Sequence, residues 1–292
     1  MNVKEIKRIC KKNDFVPLRR RGQNFLINPR FIKRIIDVAE IDEKDVVLEI
    51  GPGLGALTEN IVDKCKKLIA VEIDQKLVQI LRERLKDHKN IEVIKGSILD
   101  GISELNIKEK KYKVISNLPF NITGRVLRML LTERDKSELI VVVVQKEVGE
   151  RIIAQPPHMS LLSLSIQFYG QVNIAFNVKR NNFWPQPRVD SIVLKIKPNK
   201  SKIDKKIENT FFQLIKAGFS SKRKYLLNNL FKNAIMNNYW NIGTLEHGST
   251  EKRKEKLLEI FEGIGLNKKA RAQELSIEQW IEIANNIRTL EH

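Results

Sequence analysis

The chain alternates between short, wholly apolar runs and stretches in which apolar residues recur every three or four positions. Residues 31–39 hold Ile32, Ile35, Ile36 and Ala39 at helical spacing. Val46-Val47-Leu48-Glu49-Ile50 then reads as a short buried strand, closed by Gly51-Pro52-Gly53-Leu54-Gly55. A helix follows with Ala56, Leu57, Ile61 and Val62 on one face. Residues 68–71 form the next strand, ended by Glu72, and residues 77–85 the next helix. Further strands are expected at 91–94, 112–116 and 139–144, with helical segments at 122–131 and 148–153 among them. Uniformly apolar strands alternating with helices predict a parallel sheet covered on both faces.

The pattern changes after Pro156-Pro157. Residues 172–178 and 189–196 alternate apolar and polar positions around the turn Trp184-Pro185-Gln186-Pro187, as two strands of an antiparallel edge on the same sheet. From Pro198 the chain is polar and basic, then helical at 203–217, 225–231, 252–261 and 277–287. The expected organisation is a basic N-terminal arm over 1–22, an α/β domain over 23–198 and a small all-α domain over 199–292.

Composition narrows the function. The 292 residues include 53 Lys+Arg against 35 Asp+Glu, a formal charge of +18. A membrane span is not expected, because the longest purely apolar run, residues 139–144, is far short of the roughly 20 residues required. The basic N-terminus has no apolar stretch behind it to serve as a secretory signal. Cys10, Cys65 and four scattered histidines lack disulfide or metal-ligand spacing, so a cytoplasmic protein without a metal is expected. The cations cluster. Lys4, Lys7, Arg8, Lys11, Lys12, Arg19, Arg20 and Arg21 crowd the start, and a second block runs from Lys197 to Lys206 and on to Lys222, Arg223 and Lys224. Two basic blocks point to a polyanionic partner, nucleic acid before an anionic membrane surface.

The glycine turn at 51–55 lies between a strand and a helix, where glycines let the backbone approach a ligand and the helix start offers free N–H groups. Glu72 ends the following strand, where doubly wound folds set a carboxylate against ribose hydroxyls. The dinucleotide pattern G-x-G-x-x-G is not met, and no Walker-type loop occurs. Ser116-Asn117-Leu118-Pro119-Phe120 follows the fourth strand. There an amide oxygen and the carbonyl before proline can both accept hydrogen bonds from an exocyclic amine, while Phe120 stacks on an extruded base.

These motifs together resemble the KsgA/Dim1 ribosomal RNA adenine N6-dimethyltransferases. The resemblance rests on Gly22-Gln23-Asn24-Phe25-Leu26, Glu49 to Gly55, Val71-Glu72-Ile73-Asp74, Asn117 to Phe120, Gln145-Lys146-Glu147-Val148, residues 183–191 and residues 271–276, in the family's order. It implies a Rossmann-like class I methyltransferase sheet and S-adenosyl-L-methionine as cofactor. It also implies that Asn24, Leu26, Gly51, Gly53, Glu72, Ser97 and Asn117 meet that cofactor. Asn117, Leu118, Pro119 and Phe120 hold the target adenine, with Phe183 against its other face. The implied substrate is a pair of adjacent adenines near the 3′ end of 16S rRNA in the small subunit, and a monomer is implied. Arg19, Arg20, Arg21, Lys222, Arg223 and Lys224 are the candidate phosphate contacts. Two positions depart from the family: Ser97 replaces an aspartate that receives the cofactor's adenine amine, with Asp100 the nearest substitute, and Arg125 replaces a proline. Two rival readings are an Erm-type 23S rRNA methyltransferase and a non-catalytic nucleic-acid-binding factor on the same fold. Gly22, Leu118 and the long helical tail argue against the first; the glycine loop, Glu72 and Asn117 argue against the second.

Overall fold

A computed structural model describes residues 1–18, 22–105, 107, 111–119, 121–132, 137–199, 204–232 and 250–289, with no side chains described at 250–253 and 289. In chain order the elements are α1 (Val3–Lys12), β1 (Phe25–Leu26), α2 (Pro29–Ala39), β2 (Val46–Ile50), α3 (Thr58–Ile61), β3 (Lys67–Glu72), α4 (Gln75–Arg84), β4 (Ile91–Lys95) and β5 (Tyr112–Asn117). There follow α5 (Thr123–Thr132), β6 (Ser137–Gln145), α6 (Lys146–Ile152), α7 (Leu161–Gln167), β7 (Gly170–Val178), β8 (Phe183–Trp184) and β9 (Ser191–Pro198). The last four are α8 (Lys205–Gly218), α9 (Leu226–Lys232), α10 (Thr250–Gly263) and α11 (Ile277–Thr289). Among the described residues, no helix is long and apolar enough to cross a membrane.

Seven strands form one sheet in the order β4-β3-β2-β5-β6-β9-β7. The first five are parallel, as their uniformly apolar sequences require, while β9 and β7 add the antiparallel edge expected from their alternation. A second sheet of two short strands pairs Phe25 with Trp184 and Leu26 with Phe183. Ile32, Ile35, Ile36 and Ala39 of α2 pack with Val47, Leu68, Ile115 and Val141 in one apolar cluster.

The chain divides into two compact units: residues 1–150 with 169–200, and residues 151–168 with 201–292. The helical unit therefore includes 151–168, a stretch whose α7 is opened by a capping box between Ser160 and Ser163. Within that unit Phe168 stacks on Phe211 with ring centroids 4.2 Å apart, and Trp280 is fully buried. A Cβ at Gly218 would lie 2.4 Å from the Trp280 ring, so only glycine lets α8 come this close.

The N-terminal segment is not a free arm. Residues 3–12 form α1, an amphipathic helix with Asn2 capping its start and Ile6, Ile9 and Cys10 turned inward. These pack with Phe15, Phe25, Leu54, Leu77 and Ile80, while Lys4, Lys7, Lys11 and Lys12 stay on the outer face. Arg19, Arg20 and Arg21 lie outside the described residues.

Candidate active site

β2, β3 and β5 end at the same edge of the sheet, and a cavity of about 320 Å³ opens there. The size suits a small nucleotide-like ligand. Gly51 and Gly53 turn the chain out of β2 with φ of 63° and 61°, a left-handed conformation that favours glycine. A Cβ on Gly53 would lie 2.8 Å from Phe25 Cε1, so the turn also needs glycine to lie flat against that ring.

Two carboxyls face the cavity and differ in environment. Glu72 is held in place by backbone N–H groups: Asp74 donates to Oε1 at 2.9 Å and Gly53 to Oε2 at 3.2 Å. Burial still raises its pKa, outweighing those two donors. Glu49 is 1% exposed, and its Oε2 has no hydrogen-bond partner among the described residues. Burial pushes its pKa up to about 8, with the Thr58 hydroxyl pulling the other way and the charge of Glu72 adding to the rise. Glu49 opens the Glu49-to-Gly55 motif, but the sequence did not mark its side chain as part of the site. Its signal was a lone acid in an otherwise apolar strand.

Asn117 closes β5 and donates its Nδ2 hydrogen to the backbone carbonyl of Asn24 at 2.8 Å. That bond fixes the amide and leaves Oδ1 as its free acceptor among the described residues. Pro119 lines the cavity beside it. Leu118 is 1% exposed, so its side chain anchors the loop in the core and only its backbone is available to a ligand. Phe120 lies outside the described residues.

The structure brings together, around this one cavity, Asn24, Leu26, Gly51, Gly53, Glu72, Ser97, Asn117 and Pro119. Ser97 uses its hydroxyl to cap the 3-10 turn that follows, accepting from Leu99 N at 3.2 Å. Asp100 is exposed and does not line the cavity. Arg125 is the third residue of α5, which begins at Thr123. Phe183 does not reach the cavity: pairing with Leu26 turns its ring into the apolar cluster, where it is 2% exposed. Lys222, Arg223 and Lys224 are exposed on the turn before α9 in the helical unit. Buried Asn229 pins that turn by donating to the carbonyls of Gly218 and Ser221 at 2.6 and 2.9 Å. Ile73, missed in the sequence, is 64% exposed at the cavity's rim and offers an apolar wall to a flat ring.

A sheet of this order, with such a cavity at its carboxyl edge and a fixed amide acceptor beside it, defines a methyltransferase that draws on S-adenosyl-L-methionine. Comparison with known proteins narrows the class. The model of the ribosomal RNA adenine dimethylase family matches residues 18–289, and the chain belongs to that family. It is 37% identical over 287 residues to the ribosomal RNA small subunit methyltransferase A of Bacillus mycoides strain KBAB4, covering 96% of this chain and 94% of that protein. The protein of the same name from Dehalococcoides mccartyi strain CBDB1 is 37% identical over 261 residues, 89% of this chain and 84% of that one. Among solved structures, a dimethyladenosine transferase from Plasmodium falciparum superposes with a TM-score of 0.76 at 26% identity, covering 89% of this chain and 95% of that one. The 23S rRNA methyltransferase ErmE shares the fold, with a TM-score of 0.69 at 22% identity over 91% of this chain and all of that one.

The residues present fit the cofactor. The unpartnered Oε2 of Glu49 offers an acceptor to its ammonium group, Glu72 an acceptor to ribose hydroxyls, and Ile73 a face for the adenine.

Proposed function

We propose that the protein methylates N6 of two adjacent adenines near the 3′ end of 16S rRNA in the small ribosomal subunit, working as a cytoplasmic monomer. The carrying observation is the orientation of Asn117. One of its Nδ2 hydrogens is held by the Asn24 carbonyl, which fixes the amide and leaves Oδ1 to accept from the substrate's amine. The small-subunit assignment is supported by relatives named for that subunit at 37% identity over most of the chain.

The cofactor, when bound, supplies a methyl group already activated on a sulfonium. The protein's work is therefore positioning. Asn117 Oδ1 and the Leu118 carbonyl accept the two amine hydrogens, which turns the nitrogen lone pair toward the donor and stabilises the positive charge that grows on nitrogen. Glu72 and the glycine turn hold the donor in line, and Pro119 keeps the loop rigid.

The test is methyl transfer from labelled S-adenosylmethionine to undermethylated small subunits, with large subunits in parallel and nucleoside analysis of both. N6,N6-dimethyladenosine confined to small-subunit rRNA is the expected result. Label confined to large-subunit rRNA overturns the substrate assignment.

A further inference from the structure

The same sheet edge carries a second, open groove of about 550 Å³, lined by Lys146, Glu147, Lys179, Arg180, Gln186 and Asp190 among others. Strand register places it. Asn117 on β5 is level with Val143 on β6; two residues further, Gln145 is level with Ser191 on β9, which is level with Val178 on β7. Lys146 and Lys179 thus leave the sheet at the edge where Asn117 lies. From β5 to β7 is three strand spacings, about 14 Å. The first turn of α6 is held close to β9 because Gly149 has no side chain; a Cβ there would meet Ile192 Cδ1 at 2.1 Å. The segment that supplies Lys179 and Arg180 runs on to Trp184, the strand partner of Phe25, which lines the cofactor cavity.

Much of the groove's charge is unspent. Asp190 takes the Arg180 backbone N–H and Lys179 Nζ, both at 3.0 Å, and these donors hold its carboxyl below its ordinary pKa. That pair fixes the turn and neutralises Lys179. Among the described residues, the Arg180 side chain gives Nη1 to the Arg188 carbonyl at 3.0 Å and makes no other hydrogen bond. Among the same residues, Lys146 Nζ has only Glu150, at 3.7 Å. The Gln186 amide makes no hydrogen bond among the described residues. What remains is two cations and an amide beside one carboxylate, Glu147. Cations suit phosphates, and an isolated carboxylate among them suits a hydroxyl donor, the combination a ribose–phosphate chain presents.

We propose that this groove holds the ribose–phosphate backbone of the RNA strand next to the target adenine, with phosphates against Lys146 and Arg180 and a 2′-hydroxyl against Glu147. The assignment rests on the rRNA reading above.

The test is the binding of wild type, Lys146→Gln and the double variant Lys146→Gln/Arg180→Gln to purified small-subunit rRNA and to large-subunit rRNA across a salt series. Neither residue lines the cofactor cavity, so cofactor affinity should be unchanged, which also verifies folding. Each lost phosphate contact lowers the slope of log K against log salt by about 0.7–0.9. The wild type should then lose about tenfold more affinity than the double variant between about 50 and 200 mM salt, with Lys146→Gln midway. Equal slopes for all three proteins on the RNA that the wild type methylates overturn the groove assignment. If the wild type methylates only large-subunit rRNA, the substrate reading fails instead, and the slopes on that RNA decide the groove.

Discussion

Glu49 is a buried carboxyl with no cation beside it among the described residues, and its Oε2 has no hydrogen-bond partner there. Its pKa moves from 4.5 in the unfolded chain to about 8 in the folded one, so the folded protein holds the proton over that interval while the unfolded chain has released it. The contribution of Glu49 to stability therefore falls as pH rises from about 4.5 toward 8 and levels off above. Glu49→Gln removes this dependence. Thermal unfolding of the cofactor-free protein should show the variant more stable than wild type at pH 8, with the difference shrinking at pH 5, while its cofactor affinity drops. Asn117 carries the complementary prediction: Asn117→Ala should slow single-turnover methyl transfer by about 10²–10³-fold, a larger loss than any in cofactor affinity. The residues of this site were legible wherever chemistry and spacing agreed, as at Gly51, Gly53, Glu72 and Asn117. The burial of Phe183 could not be read from the sequence, because it accompanies pairing with Leu26, which lies far away in the chain.

At the scale of elements, the parallel strands could be read because each is short and mostly apolar, with Glu49 and Glu92 the interruptions in β2 and β4, and the antiparallel edge because alternation marks it. α1 could not be read in the same way. Its Ile6, Ile9 and Cys10 have helical spacing, but the density of lysines suggested a solvated arm. The structure shows those lysines on one side of a docked helix that packs on Phe25, which lines the cavity, and on Leu54 of the glycine turn. Ile6 is fully buried there, so Ile6→Ala should destabilise the protein by about 2–4 kcal/mol. It should also weaken cofactor binding, both readable by thermal shift with and without S-adenosylmethionine. β1 and β8 have two residues each, too few for any periodicity, and only their register reveals them.

For the whole molecule, the surplus of 18 positive charges sets a steep salt dependence for RNA binding. Part of it belongs to the turn that Asn229 pins in the helical unit. Replacing Lys222, Arg223 and Lys224 together with Gln should lower the salt slope by about 2–3 and leave cofactor affinity intact, as measured by filter binding and calorimetry. The charge was legible from composition; its division between a docked helix, a groove and a pinned turn was not, because composition carries no geometry. The pairing of β1 with β8 also bears on how the protein is made. Ile27 N donates to the Asn182 carbonyl at 2.9 Å, and the Asn28 and Asn182 side chains join at 2.7 Å, beside the rung of Phe25 and Trp184. A nascent chain that has emerged only as far as β6 already carries the glycine turn, Glu72 and Asn117, yet the cavity wall at Phe25 lacks its partner. Translation must pass residue 184 before Phe25 and Leu26 can pair with β8, so this part of the cavity wall gains its strand partner only after the motifs that line the cavity have been made.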